Sequence, residues 1–301
     1  MIRLVTAFVF LTAATFSADL RVDKPDPIGR RVENPFYIAD LSHRTINGRD
    51  EDSGTLRALT FKPFGVTFFR DPTNGRMHKG PSIQRAGARS YKDIGDWTPV
   101  QSFREEQKGG MYIHHREGYF ADYPEVKIEV EYRFPADAPY FIVADSMTVE
   151  KPFKAALVRN NEMTMNLFFT HLVWPGRDGA VRIVTLDERK PILEKDPIPA
   201  GVPWLAFVNL DKGYGYGFVM LESEASKTAN ADMTISDGVR SGTTILSGRY
   251  WTRHLISGRE VDLAPGDRFR EVTAYVLFKC SKDRPVAELL DWAGKIRKAA
   301  L

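Results

Sequence analysis

Apolar and polar positions alternate along Glu125-Val126-Lys127-Ile128-Glu129-Val130-Glu131-Tyr132-Arg133-Phe134. Val126, Ile128, Val130, Tyr132 and Phe134 fall on one side, and the charged residues fall on the other. That period of two predicts a strand with one buried and one wet face. Pro135-Ala136-Asp137-Ala138-Pro139 ends it, and a second run groups Phe141, Val143, Met147 and Val149 on one face, so the two predict an antiparallel hairpin. Further strands are predicted at Trp204 to Leu210 and Tyr214 to Leu221, joined by Asp211-Lys212-Gly213, and at Arg268 to Phe278 after Ala264-Pro265-Gly266-Asp267. Weaker runs are Leu56 to Phe61, Val66 to Phe69, Met111 to Glu117, Val181 to Leu186 and Thr243 to Leu246. Glycine, proline and aspartate punctuate the gaps, as closely spaced antiparallel strands require. One helical pattern stands out: Val286, Leu289, Leu290, Ala293 and Ile296 follow Pro285 and lead to Lys295, Arg297 and Lys298, predicting a helix over about 285–299.

The first residues read differently. Arg3, the apolar run Leu4 to Ala14 and the small residues Ser17 and Ala18 predict a signal peptide over 1–18, cleaved after Ser17 or Ala18. The run is shorter than the roughly 20 apolar residues a membrane span needs, and no second run approaches that length. Residues 19–301 are then expected as a single all-β domain with a terminal helix, secreted or periplasmic. Cys280 is the lone cysteine, so the domain is expected to rely on its core without internal disulfides. A formal charge of +3 gives no footprint for nucleic acid.

The run Trp204-Leu205-Ala206-Phe207-Val208-Asn209-Leu210-Asp211-Lys212-Gly213-Tyr214-Gly215-Tyr216-Gly217-Phe218 resembles the central hairpin of large β-supersandwich domains in carbohydrate-active proteins. These include galactose mutarotase-like domains and the β-domains of several polysaccharide lyases. The turn Leu263-Ala264-Pro265-Gly266-Asp267, leading into a long strand, is similar to theirs. The resemblance covers about the second half of the chain. It implies a large antiparallel β-supersandwich with a short C-terminal helix and, by analogy, a sugar-related role.

No nucleophile elbow, P-loop, zincin helix or paired-cysteine zinc site is present in the sequence, so candidate chemistry lies in local clusters. In Tyr112-Ile113-His114-His115-Arg116-Glu117-Gly118-Tyr119 an extended chain sends the two histidines to opposite faces. His115 joins Met111 and Ile113; His114 joins Tyr112 and Arg116, a combination that suits an anionic sugar or an ordinary wet face. In Val158-Arg159-Asn160-Asn161-Glu162, Arg159 and Asn161 project together and can grip a carboxylate, unless the Asn pair simply turns the chain. Arg249, Trp251 and Arg253 share a face, either a ring between two cations for a ligand or a cation–π surface strand. Arg76-Met77-His78-Lys79 with Gln84-Arg85 forms a basic loop region able to overhang a groove. Arg49-Asp50-Glu51-Asp52-Ser53-Gly54 has calcium-ligand residue types without a recognised spacing, and no metal or cofactor is expected.

These clusters lead to an exported carbohydrate-active protein with an acidic polysaccharide or oligosaccharide as partner. The favoured activity is a polysaccharide lyase cleaving a uronate-containing glycan by β-elimination. Arg159 and Asn161 would neutralise the developing charge, His114 or His171 would be the base, and Tyr119 would protonate the leaving oxygen. Trp174 and Trp251 would stack on sugar rings, with Tyr112, Arg116, Arg249, Arg253, His78 and Arg76 as further binding residues. The alternatives are a non-catalytic glycan-binding or envelope protein, and a mutarotase- or epimerase-like enzyme using Glu162 or Glu117 as its carboxylate base.

Overall fold

The computed structural model describes residues 20–41, 44–46, 49–51, 54–69, 77–94, 102–164, 169–236, 240–241, 244–245 and 250–300. The expected signal peptide, Arg76 and Arg249 lie outside the described residues. Among those described, three antiparallel sheets build a β-supersandwich. The largest has nine strands, in the order Ser102–Lys108, Met111–Phe120, Tyr123–Pro135, Tyr140–Val149, Arg268–Lys279, Tyr214–Ala225, Trp204–Asn209, His171–Pro175 and Val181–Thr185. A six-stranded sheet centres on Phe153–Thr164, which pairs with Ser82–Arg85 on one side and with Tyr250–Ile256 and Val261–Leu263 on the other. A five-stranded sheet is built from residues between Arg21 and Phe69.

The expected hairpin is present, with Val130 opposite Asp145 and Tyr132 opposite Val143. Val126, Ile128, Val130, Tyr132 and Phe134 are buried, while Lys127, Glu129, Glu131 and Arg133 stay partly exposed. The inner face of the nine-stranded sheet thereby meets the two smaller sheets. Tyr132, Phe134, Phe141, Phe207, Tyr216 and Tyr275 join Leu59 and Phe68 from one of them, and Met163 and Trp251 from the other, in one core.

Central strands are covered on both faces, which explains why Trp204–Asn209 is buried at every position instead of alternating. The second cover is the helix Ala287–Ala300, which lays Val286, Leu289, Ala293 and Ile296 on the outer face against Val173, Ala206, Val208, Val219 and Phe278. Each fully buried Val, Leu or Ile in that stripe contributes about 1.5–3 kcal/mol. Gly217 permits the approach: a Cβ there would lie 2.7 Å from the Leu205 carbonyl oxygen and 3.2 Å from Leu289 Cδ2. The helix starts two residues later than expected, because Pro285 and Val286 form the turn ahead of it. A short helix, Arg189–Lys195, was not anticipated from the pattern. No helix among the described residues is long and apolar enough to cross a membrane.

Candidate functional site

The central strand of the six-stranded sheet is broken where it passes the core. Register along Phe153–Thr164 shifts between Asn160 and Met163, and Asn161 has φ of +52°, a left-handed conformation that asparagine tolerates better than most residues. Such bulges re-aim side chains and are frequent beside binding sites. The segment leading into Ser82–Arg85 lies directly against this one. Lys79 N–H donates to the Glu162 carbonyl at 2.9 Å, and His78 bridges Met163. Gly80 is required there, since a Cβ would sit 2.9 Å from the backbone nitrogens of both Asn161 and Glu162.

The bulge turns Asn161 inward. Its Oδ1 accepts from Trp251 Nε1 at 3.4 Å and from the Tyr275 hydroxyl. An indole N–H can only donate, so the amide oxygen faces it and Nδ2 is left as a donor. That Nδ2 has no hydrogen-bond partner among the described residues, and neither do both amide atoms of the buried Asn160 nor the hydroxyl of Tyr216. His78 Nδ1 lies 2.8 Å from the Tyr132 hydroxyl, while its Nε2 has no partner among the described residues. Burial lowers the pKa of His78 to about 3, so the ring is neutral at physiological pH. Arg159 donates from Nε to Ser82 Oγ at 3.2 Å, sits 3.1 Å from Glu162 through Nη2, and lies 3.9 Å over the Tyr91 ring. Glu162 is also 3.9 Å from Lys79 Nζ. Nearly all buried polar atoms in proteins find partners. Several without one, beside a strained asparagine and the stacked rings of Trp251, Tyr216 and Tyr275, mark this cluster as the candidate site.

A second buried polar group lies on the same inner face. Asp145 and Glu271 are direct cross-strand partners. Arg253 reaches Glu271 with Nε at 2.6 Å and with Nη2, and donates from Nη1 to Ser223 Oγ at 3.1 Å. Thr273 donates to the other Glu271 oxygen at 2.7 Å. Burial, then the neighbouring Glu271 charge, holds the Asp145 carboxyl well above the usual carboxylate range.

The expected residues therefore separate. Asn161, His78 and Trp251 meet around Tyr132 and Tyr275, whereas Arg159, on the same strand as Asn161, is taken by Glu162 and Ser82 under the Tyr91 ring. Trp251 is fully buried, as Trp174 nearly is, so both rings serve as core where exposed stacking surfaces were expected. Tyr112, His114 and Arg116 do share a face, but it is the inner one and all three are buried. His114 lies one ring from the cluster, 6.1 Å from Tyr132, with Nε2 on the Ile28 carbonyl at 3.0 Å; burial lowers its pKa to about 3. Tyr112 donates to Glu105 at 2.9 Å, and Arg116 to Thr55 at 3.1 Å. Tyr119 is in register with Lys127 on the outer face and donates to Glu150 at 2.8 Å. His171 pairs with Val208 on that outer face, with Nδ1 2.8 Å from Thr170 Oγ1. Arg253 is committed to Glu271. His114, His171 and Tyr119 thus do not meet Arg159 and Asn161 in one groove.

Tyr132, Tyr216 and Tyr275 belong to the cluster and were not anticipated, while Lys79 comes with His78 from the expected basic segment. In sequence the three tyrosines look like ordinary strand aromatics; only the polar Asn160-Asn161 pair inside an apolar strand gave a local sign. Among the described residues no group of three or more His, Cys, Asp or Glu is arranged to hold a metal.

No protein-family model matches the chain, and no curated protein sequence matches it. Solved structures do. A quadruple mutant of the α-N-acetylgalactosaminidase NagBb from Bifidobacterium bifidum superposes with a TM-score of 0.52 at 13% identity, over 86% of this chain and 41% of that one. A galactose mutarotase-like protein from Lactobacillus casei gives 0.46 at 10%, over 83% of this chain and 100% of that one. A polysaccharide lyase gives 0.49 at 10%, over 86% of this chain and 35% of that one. What is shared is the fold. The supersandwich expected from the hairpin around Asp211-Lys212-Gly213 is present, and this chain spans less than half the length of the glycosidase.

Proposed function

We propose that the protein is an exported carbohydrate-active protein, and that its favoured activity is β-elimination on a uronate-containing glycan at the His78–Arg159–Asn161 cluster. The observation that carries this is the pair of buried atoms Asn161 Nδ2 and His78 Nε2, which have no hydrogen-bond partner among the described residues and lie beside the Tyr275 ring, with the Arg159–Glu162 ion pair on the same strand. A guanidinium and an amide donor suit a uronate carboxylate and the enolate-like charge that develops on it. In this scheme His78 donates from Nδ1 to Tyr132, leaving the Nε2 lone pair to take the proton next to the carboxylate. The electron pair released forms the new double bond and expels the glycosidic oxygen, which takes its proton from solvent, and His78 later returns its own proton to solvent. His78 replaces His114 and His171 as base, because it lies against the strand that carries Arg159 and Asn161. The fold likeness to a glycosidase supports the sugar-related part of the proposal by analogy alone. A non-catalytic glycan-binding protein is the second reading, favoured by the complete burial of His78 and Trp251.

The test starts from protein recovered from the periplasm or medium, whose first residue is expected to be Ala18 or Asp19. The protein is incubated with alginate, glucuronan, pectate and glycosaminoglycans while ultraviolet absorbance follows unsaturated uronyl products. Turnover of one substrate that is lost in His78→Ala is expected. Retained binding without turnover across the panel transfers support to the binding protein, and neither binding nor turnover removes both.

A further inference from the structure

The outer face of the nine-stranded sheet changes character along its strands. At one end it carries His115, Glu129, Glu131, Arg268 and Arg270 around a small polar depression. Next to these residues it carries Ile142, Leu221 and Val272, apolar side chains on three neighbouring strands. The C-terminal helix covers only part of this second region. Its stripe from Val286 to Ile296 seats over Val173, Ala206 and Phe278, and its last turn overhangs Ile142, Leu221 and Val272. A groove of about 650 Å³ runs beneath that turn, walled by Ile296 and Arg297 and bounded across the sheet by Arg133. Ile142 and Leu221, on its floor, are only partly buried.

This size and lining, mostly apolar with a few charged groups at the mouth, are those of small-molecule sites. The charges decide the class of ligand. Arg133 is shared with Glu131 at 2.6 Å, and Glu222 at the rim is taken by Arg270. Arg297 is exposed and forms no ion pair among the described residues; its one hydrogen bond among them runs from Nη2 to the Pro203 carbonyl at 3.5 Å. The mouth is therefore net positive beside an apolar floor. We infer that this groove binds a single-chain anionic amphiphile of the fatty-acid class, with the chain along Ile142, Leu221 and Val272 and the carboxylate at Arg297. The site is on the opposite face of the sheet from His78 and Asn161, so it stands independently of the sugar chemistry proposed there.

The experiment titrates the full chain with anilinonaphthalenesulfonate, an apolar body with an anionic head, and then displaces it with dodecanoate below the micellar concentration. Dodecyl maltoside, with the same chain and a neutral head, runs in parallel. Displacement by dodecanoate at one site per chain is expected, with the neutral amphiphile much weaker. Arg297→Glu, at an exposed position, should leave the melting temperature unchanged and weaken dodecanoate about tenfold, equivalent to about 1.4 kcal/mol. Leu221→Trp should fill the groove and abolish displacement, while His78→Ala should leave it intact. The inference is overturned by failure of dodecanoate to displace the dye, by equal displacement in Arg297→Glu and Leu221→Trp, or by equal potency of the neutral amphiphile.

Discussion

Arg253→Met is expected to destabilise the protein by about 3–5 kcal/mol, the usual cost of removing one partner of a buried ion pair. The Arg253 and Glu271 side chains are 3% and 1% exposed, so solvent screens almost nothing. Asp145 stands directly across the strand pair from Glu271. Without the guanidinium, the buried Glu271 carboxylate would lose its cation while facing Asp145, whose own carboxyl is already held well above the usual carboxylate range. Charge, rather than lost contact area, should dominate the loss. The double variant Arg253→Met/Glu271→Leu should therefore recover much of the stability, because a well-packed apolar replacement of a buried pair is often neutral or better. Chemical denaturation of the single and double variants checks this. A single variant within about 1 kcal/mol of wild type, the ceiling for an exposed pair, would show that the ion pair is not buried in solution.

Acidification should weaken the fold through its two buried imidazoles. His78 and His114 are each lowered from 6.5 to about 3, chiefly by burial. Both stay neutral in the native state, while the unfolded chain takes up their protons below about pH 6.5. Their contribution is fully present above that pH and is lost as pH falls towards about 3. Asp145 acts in the opposite sense: its carboxyl is held protonated in the native state, so stability gained there fades as pH rises above the ordinary carboxylate range. Asp145→Asn removes the opposing effect. Between about pH 5.5 and 4.5 the variant should lose about 2.7 kcal/mol per pH unit, two protons' worth, and wild type should lose less. A flat profile in the variant would mean that the histidines titrate normally in the folded state, and equal slopes in the two proteins would mean that Asp145 does.

Legibility of the fold followed solvent exposure. The Glu125–Phe134 alternation could be read because one face of that strand stays wet, and the run from Trp204 could be read because both faces are covered. Polarity misled where register decides. Tyr112, His114 and Arg116 look like a wet or ligand-facing set, yet they stand opposite Phe134, Tyr132 and Val130, and so fall on the apolar side of the sheet. They are sealed by distant segments: Ile28 accepts the His114 hydrogen bond, and a Cβ on Gly54 would lie 2.8 Å from the His114 ring. Nothing local in the sequence ties residues 28 or 54 to residue 114.

The candidate site was half legible for the same reason. Arg159 and Asn161 are two apart on one strand, so their closeness along the chain is a local property, while the bulge turns only Asn161 towards Trp251 and Tyr275. His78 reaches them only through pairing of separate segments, and Tyr275 through the face-to-face packing of two sheets. The bulge that turns Asn161 inward depends on tertiary contacts with Lys79 and Gly80.

The central claim is that Asn161, held by Trp251 and Tyr275, presents its amide nitrogen to an acidic sugar. Asn161→Gly tests it most directly, because glycine keeps the left-handed backbone and deletes only the amide. Wild type and variant would be compared on an oligouronate substrate, following calorimetric titration for binding and ultraviolet absorbance for the unsaturated product. The expected result is turnover by wild type that falls about 10²–10³-fold in the variant, the usual loss on deleting one charge-stabilising donor, in a protein that still unfolds cooperatively, although at a lower temperature because Trp251 and Tyr275 lose their acceptor. Turnover that survives undiminished in Asn161→Gly would contradict the assignment, as would an oligouronate that neither protein binds.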